Sequence, residues 1–285
     1  MAEEFDLIPA NEKCDTFKVV FDYYSPRAHF IILPRNEFIS TYFELDQKAR
    51  PKVVKSALSI VSGYKLQKSA ILSIHFGSWL TTKDKFHAHI CVDVEDYLAI
   101  FEGNKQRIPG WPSSDYVTRQ WKASKNPNDY PMNVRGYPFR TYYLEEVEAI
   151  REYRRSPTGE SDSSCPPLPL NFLLHPSEPR VGFAVEKSKE PSSCESKFEA
   201  LEAMINFAEQ NNLTNIKSKD DSDGCHVCLV LDGRSNGFLL DEESQILVGF
   251  IQVTGLKFFR DLCPHDKRKG WFTKFRTMGD YKVLT

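Results

Sequence analysis

The sequence predicts an α+β fold, and three observations carry that expectation. ILSIHF and HAHICVDV are short runs rich in aliphatic and β-branched residues and read as strands. PKVVKSALSIVSGYKL and KFEALEAMINFAEQNN space their apolar residues at helical intervals. The order strand, helix, strand then recurs in both halves of the chain.

In the first half, the SPRAHFIIL strand comes before the first helix, which ends near Gly63, and the two strand runs follow it. Strongly helical YLEEVEAIREYRR comes next, and RRSPTGESDSSCPPLPLN (Arg154 to Asn171) cannot sustain either periodicity. The expected division is therefore a domain over 1–155, a Ser/Pro-rich linker over 156–171 and a second α+β domain over 172–285. A shorter break, Lys187 to Ser196, precedes the second helix, whose first turn is acidic.

Composition narrows the class. The 285 residues are 41% hydrophobic and 27% charged, which is ordinary for a globular chain, and no apolar run approaches the roughly 18 residues that span a bilayer. No membrane partner is expected. The opening MAEEFDLIP has neither a basic nor an apolar leader region, so a cytoplasmic or nuclear setting is expected. The seven cysteines, an odd number without framework spacing, then read as reduced thiols. A net charge of −2 argues against a surface that coats nucleic acid generally and leaves room for a local basic patch.

The chemistry concentrates in DKFHAHICVDVEDY. In an extended strand His87, His89 and Cys91 share one face, while Ala88, Ile90 and Val92 share the other. The apolar face reads as core, so the imidazoles line a pocket or an outer surface. Taken alone, such a pair more often marks histidines satisfied by solvent or carbonyls.

Two separated stretches give this strand a context. VVFDYYSPRAHFIILPR (Val19 to Arg35) is similar to the Asp, Ser-Pro-x-Ala and His strand pair of the histidine-triad (HIT) nucleotide hydrolases and transferases, and HAHICV is similar to that family's His-φ-His-φ-His-φ-φ motif. The first half, over roughly 14–105, thus resembles the HIT superfamily and its aprataxin-like members. The resemblance implies a HIT-like antiparallel sheet with flanking helices. It also implies a nucleotide hydrolase or nucleotidyltransferase that acts on a nucleoside phosphate ester, anhydride or phosphoramidate through a histidine nucleophile. His89 takes the nucleophile's position and His87 that of a flanking donor. Asp22 matches the ribose-binding position, and His29 the strand histidine; Ser78, Thr82 and Lys83 fall in the loop that contacts phosphate and leaving group. His75 resembles a pocket histidine of aprataxin-like members.

The departure is Cys91, which stands where the family has its third histidine and lacks imidazole's paired donor and acceptor. That substitution opens a second reading, a catalytically inactive nucleotide-sensing or RNA-processing adaptor. RNA is a candidate partner on other grounds too, because NKQRIPGWP and YVTRQWKASKNP interleave basic and aromatic residues as stacked bases and phosphates require.

The halves also resemble each other. SPRAHFIIL (Ser25 to Leu33) matches EPRVGFAVE (Glu178 to Glu186), and HICV (His89 to Val92) matches HVCL (His226 to Leu229), with Gly182 standing where the first half has His29. The second domain is accordingly expected to be a degenerate HIT-like repeat. The chain would be a monomer whose second half takes the place of a partner subunit.

A last constellation, Cys225-x-x-Cys228 with Cys263-Pro-His265, offers the three thiolates and one imidazole that zinc accepts. Against it, Cys228 lies in the apolar strand HVCLVLDG, where residues three apart face opposite sides. The expectation is no cofactor and no stoichiometric zinc.

Overall fold

A computed structural model describes residues 6–9, 12, 14–21, 29–36, 38–66, 70–77, 85–92, 94–104, 106, 171–174, 180–214, 224–232 and 245–253. Strands and helices alternate in an α+β arrangement, and the chain divides into two compact units. The first carries β1 (Phe17–Phe21), β2 (His29–Pro34), α1 (Arg50–Gly63), β4 (Ala88–Cys91) and α2 (Val94–Asn104). The second carries β5 (Asn171–Leu174), β6 (Arg180–Glu186), α3 (Cys194–Gln210) and β8 (Gln245–Val253). Strands β3 (Ala70–Phe76) and β7 (Cys225–Asp232) lend residues to both.

In the first unit the strands run in the order β1-β2-β4-β3. The β1–β2 hairpin is antiparallel with Val19 opposite Ile32 and Phe21 opposite Phe30, and β2 pairs antiparallel with β4. Because side chains alternate across a strand, Phe17, Val19 and Phe21 share one face with Phe30 and Ile32, and all are buried. Helix α1 carries Pro51 in its first turn, where the fixed φ suits the helix, and buries Val53, Val54, Ala57 and Ile60. The Val and Ile side chains each contribute about 1.5–3 kcal/mol by leaving water.

Helix α2 corrects the sequence reading, which carried the strand through HAHICVDV. The strand stops at Cys91, and helix starts at Val94. Tyr97, Ile100, Phe101 and Asn104 follow at helical spacing and are buried. Tyr97 stacks on Phe30 at 5.4 Å between ring centroids, while Phe21 meets Phe101 edge-on at 5.5 Å. That aromatic cluster fixes α2 against the core side of the hairpin, each pair being worth about 0.5–1.5 kcal/mol beyond its area.

The N-terminal segment is tied across the hairpin. Asp6 accepts backbone N–H groups of Ile8 (3.0 Å) and Val19 (3.1 Å) and pairs with the Arg35 guanidinium. Arg35 Nε also donates to the Cys14 carbonyl at 2.9 Å.

The second unit orders its strands β5-β6-β8-β7. Element order and antiparallel pairing therefore repeat those of the first: a hairpin, a helix, then two strands of which the later one pairs with the hairpin. Helix α3 starts three residues before the expected apolar run because Ser193 caps it, accepting the Ser196 N–H at 3.0 Å while Ser196 Oγ accepts the Ser193 N–H at 3.1 Å. Met204 of α3 then sits over Gly249 of β8, so close that a Cβ there would lie 2.6 Å from Met204 Sδ and 2.4 Å from the Cys228 carbonyl oxygen.

One sequence correspondence does not survive. HICV lies in β4 but HVCL lies in β7, whose place in its unit is that of β3; β8 holds the place of β4. The match between HICV and HVCL reflects the β-branched and aliphatic composition that any buried strand shares. The residues 156–170, the YLEEVEAIREYRR segment and the basic and aromatic stretches beyond Gln106 lie outside the described residues.

Candidate functional site

The β2–β4 register places the imidazoles. His29 is opposite Cys91 and Ile31 is opposite His89, so His29, Ile31, His89 and Cys91 share a face. Phe30, Ile32, Ala88 and Ile90 occupy the other face and are fully buried. Two-residue alternation thus does what the sequence expects: one side of β4 locks the strand into the core and the other presents chemistry.

The chemical face is itself enclosed. His29 is 1% exposed, His87 and His89 are each 6% exposed, and Cys91 is 0% exposed, which excludes a solvated histidine pair on an open surface. His89 is central. Its ring meets His29 edge-on at 4.7 Å and His87 edge-on at 5.1 Å between centroids. His87 Nδ1 lies 3.2 Å from the Lys85 carbonyl oxygen. A carbonyl only accepts, so Nδ1 is the donor in this contact.

Beside this row, Val20 and Lys18 of β1 align with Ile31 and Leu33 of β2, and all four are half-buried. The same face therefore continues from imidazoles onto a partly accessible aliphatic strip edged by a lysine.

His75, near the end of β3, is 5% exposed. Its ring stacks on that of His226 at 3.9 Å and 10°. His226 was not among the expected site residues. Its only signal is the alternation with Cys228, which sequence reasoning assigned to ordinary strand packing.

Cys225 and Cys228 of β7 are fully buried. Burial first, and the charge of Cys228 second, push the Cys225 thiol far above its ordinary value, so it stays protonated. Cys263 and His265 lie outside the described residues, as do Asp22, Ser78, Thr82 and Lys83. Among the described residues, no helix is long and apolar enough to cross a membrane.

The chain matches no protein-family model, no curated protein and no solved structure.

Proposed function

We propose that the protein is a HIT-like nucleotide hydrolase or nucleotidyltransferase with His89 as its nucleophile. The observation that carries this reading is the position of His89: central among imidazoles on the polar face of β4, with the opposite face of the strand held in the core. A lone pair on His89 attacks the α-phosphorus of a nucleoside phosphate ester, anhydride or phosphoramidate. The bond to the leaving group breaks, and that group departs with the electron pair and takes up a proton. Water or another acceptor then attacks the nucleotidyl-imidazole and releases His89. Splitting one displacement into two is what a neutral imidazole does well.

His87 suits the task of a positioning and charge-stabilising group, because its ring is oriented by the Lys85 carbonyl. The half-buried Val20, Ile31 and Leu33 offer an apolar platform for a base or sugar, and Lys18 a cation for phosphate. Asp22 for the ribose, and Ser78, Thr82 and Lys83 for phosphate and leaving group, belong to the same reading through the family resemblance.

The second unit is read as a degenerate repeat of the first, supported by its matching element order and pairing. Aligning Gly182 with His29 sets Ala184 beside Ile31, and Ala184 pairs with Leu247 where Ile31 pairs with His89. The repeat has thus lost its nucleophile. On this reading the chain is a cytoplasmic or nuclear monomer, which light scattering reads directly.

Cys91 favours a second reading, an inactive nucleotide-sensing or RNA-processing adaptor, because a fully buried thiol replaces the third imidazole. The deciding experiment incubates the full chain with nucleoside phosphate esters, anhydrides and phosphoramidates and follows product release beside AMP and GMP binding. Turnover is expected. Binding without turnover across all three classes would replace the enzyme with the adaptor.

A further inference from the structure

We propose that the second unit carries a ligand site of its own, on the face of β6, β8 and β7 turned away from α3, and that it takes a neutral nucleobase whose exocyclic amino group is held by Gln252. Gln252 of β8 is 8% exposed, and its Oε1 is buried with no hydrogen-bond partner among the described residues. A carboxamide oxygen accepts up to two hydrogen bonds, and burying it with none is less favourable than burying an apolar side chain of the same shape. Such a group in the middle of a sheet calls for a partner from outside the chain.

The strand register shows what stands beside it. Gln252 is opposite His226 of β7 and Arg180 of β6, so the three form one cross-strand row on a single face. Gly249 and Ile251 occupy the other face, where Met204 of α3 covers Gly249. His226 is half-buried, and its ring stacks at 3.9 Å and 10° on that of His75, which belongs to the same unit. The row thus sets a buried acceptor next to a flat pair of rings. In the repeat, Gly182 opposite Phe250 corresponds to His29 opposite Cys91, which puts Gln252 on the face that holds the imidazoles in the first unit. The second copy has lost its nucleophile and kept a polar group there.

The chemistry of the row selects the ligand. An orphaned acceptor needs an N–H or O–H donor, and burial disfavours a charged one, so ammonium and guanidinium groups are poor candidates. The carboxamide presents an acceptor beside a donor and therefore complements an edge that presents a donor beside an acceptor. The amino group and adjacent ring nitrogen of adenine form such an edge. A planar heterocycle also suits a row that ends in stacked imidazoles. The inference goes beyond the proposed reaction and stands without it, because a nucleoside has no phosphorus to transfer.

The test titrates the full chain by calorimetry with adenosine and with the analogue whose exocyclic amine carries two methyl groups, which keeps the ring and loses the amino N–H donors. The parent should bind adenosine and bind the dimethyl analogue about 10-fold or more weaker. Gln252→Leu, close in volume, should weaken adenosine binding by about as much and leave the affinity for the analogue unchanged. Without ligand this variant should melt at the parental temperature or above, because it no longer buries an unpartnered amide. Adenosine should raise the melting temperature of the parent by more than that of the variant. Absence of adenosine binding, or equal affinity of the parent for both nucleosides, would overturn the proposal, and this comparison needs no variant. A folded Gln252→Leu protein that binds adenosine as the parent does would overturn it too. So would a variant that melts well below the parent, since the amide would then already have a partner in protein or water.

Discussion

His29 meets His89 edge to face, ring centroids 4.7 Å apart, across a ladder in which His29 itself is paired with Cys91. The diagonal contact makes His29 a packing wall for the proposed nucleophile, and it makes residue 89 the hub of the row. Replacing His89 with Asn removes the nucleophilic nitrogen while keeping a polar side chain of smaller size. Turnover should fall by about 10³-fold or more with nucleotide affinity changed only a few-fold, as read by kcat beside a binding titration. His87→Ala should cost about 10²–10³, the usual loss for one stabilising donor. Parental rates in a folded His89→Asn protein would remove it as nucleophile.

Cys91→His rebuilds the third position of the proposed triad at a residue with no exposed surface. The larger ring should lower stability by about 1–3 kcal/mol, the common cost of overpacking, while hydrolysis is kept or raised. Thermal melts and turnover measured on the same preparation check both halves of that statement. A folded variant that no longer hydrolyses would count against an active pocket on this face.

Gly249→Ala probes the fit of α3 on β8. The new methyl would lie 2.4 Å from the Cys228 carbonyl oxygen and 2.6 Å from Met204 Sδ; the thioether can turn aside, but the strand backbone cannot. A loss of about 1–3 kcal/mol is expected in urea unfolding, with the slope unchanged. A neutral substitution would mean that helix and sheet are not in this contact.

Cys225 makes stability depend on alkaline pH. In the folded chain its thiol is held far above the ordinary 9.0, whereas unfolding restores the ordinary value. Below pH 9 both states keep the proton, and stability is unaffected; above it the unfolded state alone releases the proton. Stability therefore falls as pH rises, by at most about 1.4 kcal/mol per pH unit from this one group. Melting curves between pH 8 and about 10 should show the decline, and Cys225→Val should flatten it.

Helices α1 and α3 were legible in the sequence because their apolar residues repeat with the helical period over several turns. The two faces of β4 were legible because the strand period is two. Helix α2 was not, since Val92 and Val94 extend an alternating pattern up to its first residue, and that pattern outweighed the start signal of Asp93, Glu95 and Asp96. The enclosure of His87 and His89 could not be read either. Period assigns a residue to a face, but what covers that face comes from distant parts of the chain. For the same reason His75 read as a lone strand histidine, and its stacking on His226 emerged only in three dimensions. The pairing of HICV with HVCL failed on topology: four residues of strand composition do not say which strand of a sheet they form.

The alternation along β2 and β4 also bears on how this chain can vary through descent. Positions 29, 31, 89 and 91 form the face proposed to handle the ligand, and positions 30, 32, 88 and 90 form the core face, so a codon change at one set leaves the other set's task intact. Cysteine could enter at 91 by this route without a compensating change in the aromatic cluster. A one-residue insertion or deletion has no such freedom, for it would turn imidazoles into the core and aliphatics out of it in a single step. Lineages of this protein should therefore keep the fold through substitutions on the imidazole face, whatever these cost the proposed reaction, and purge length changes within either strand.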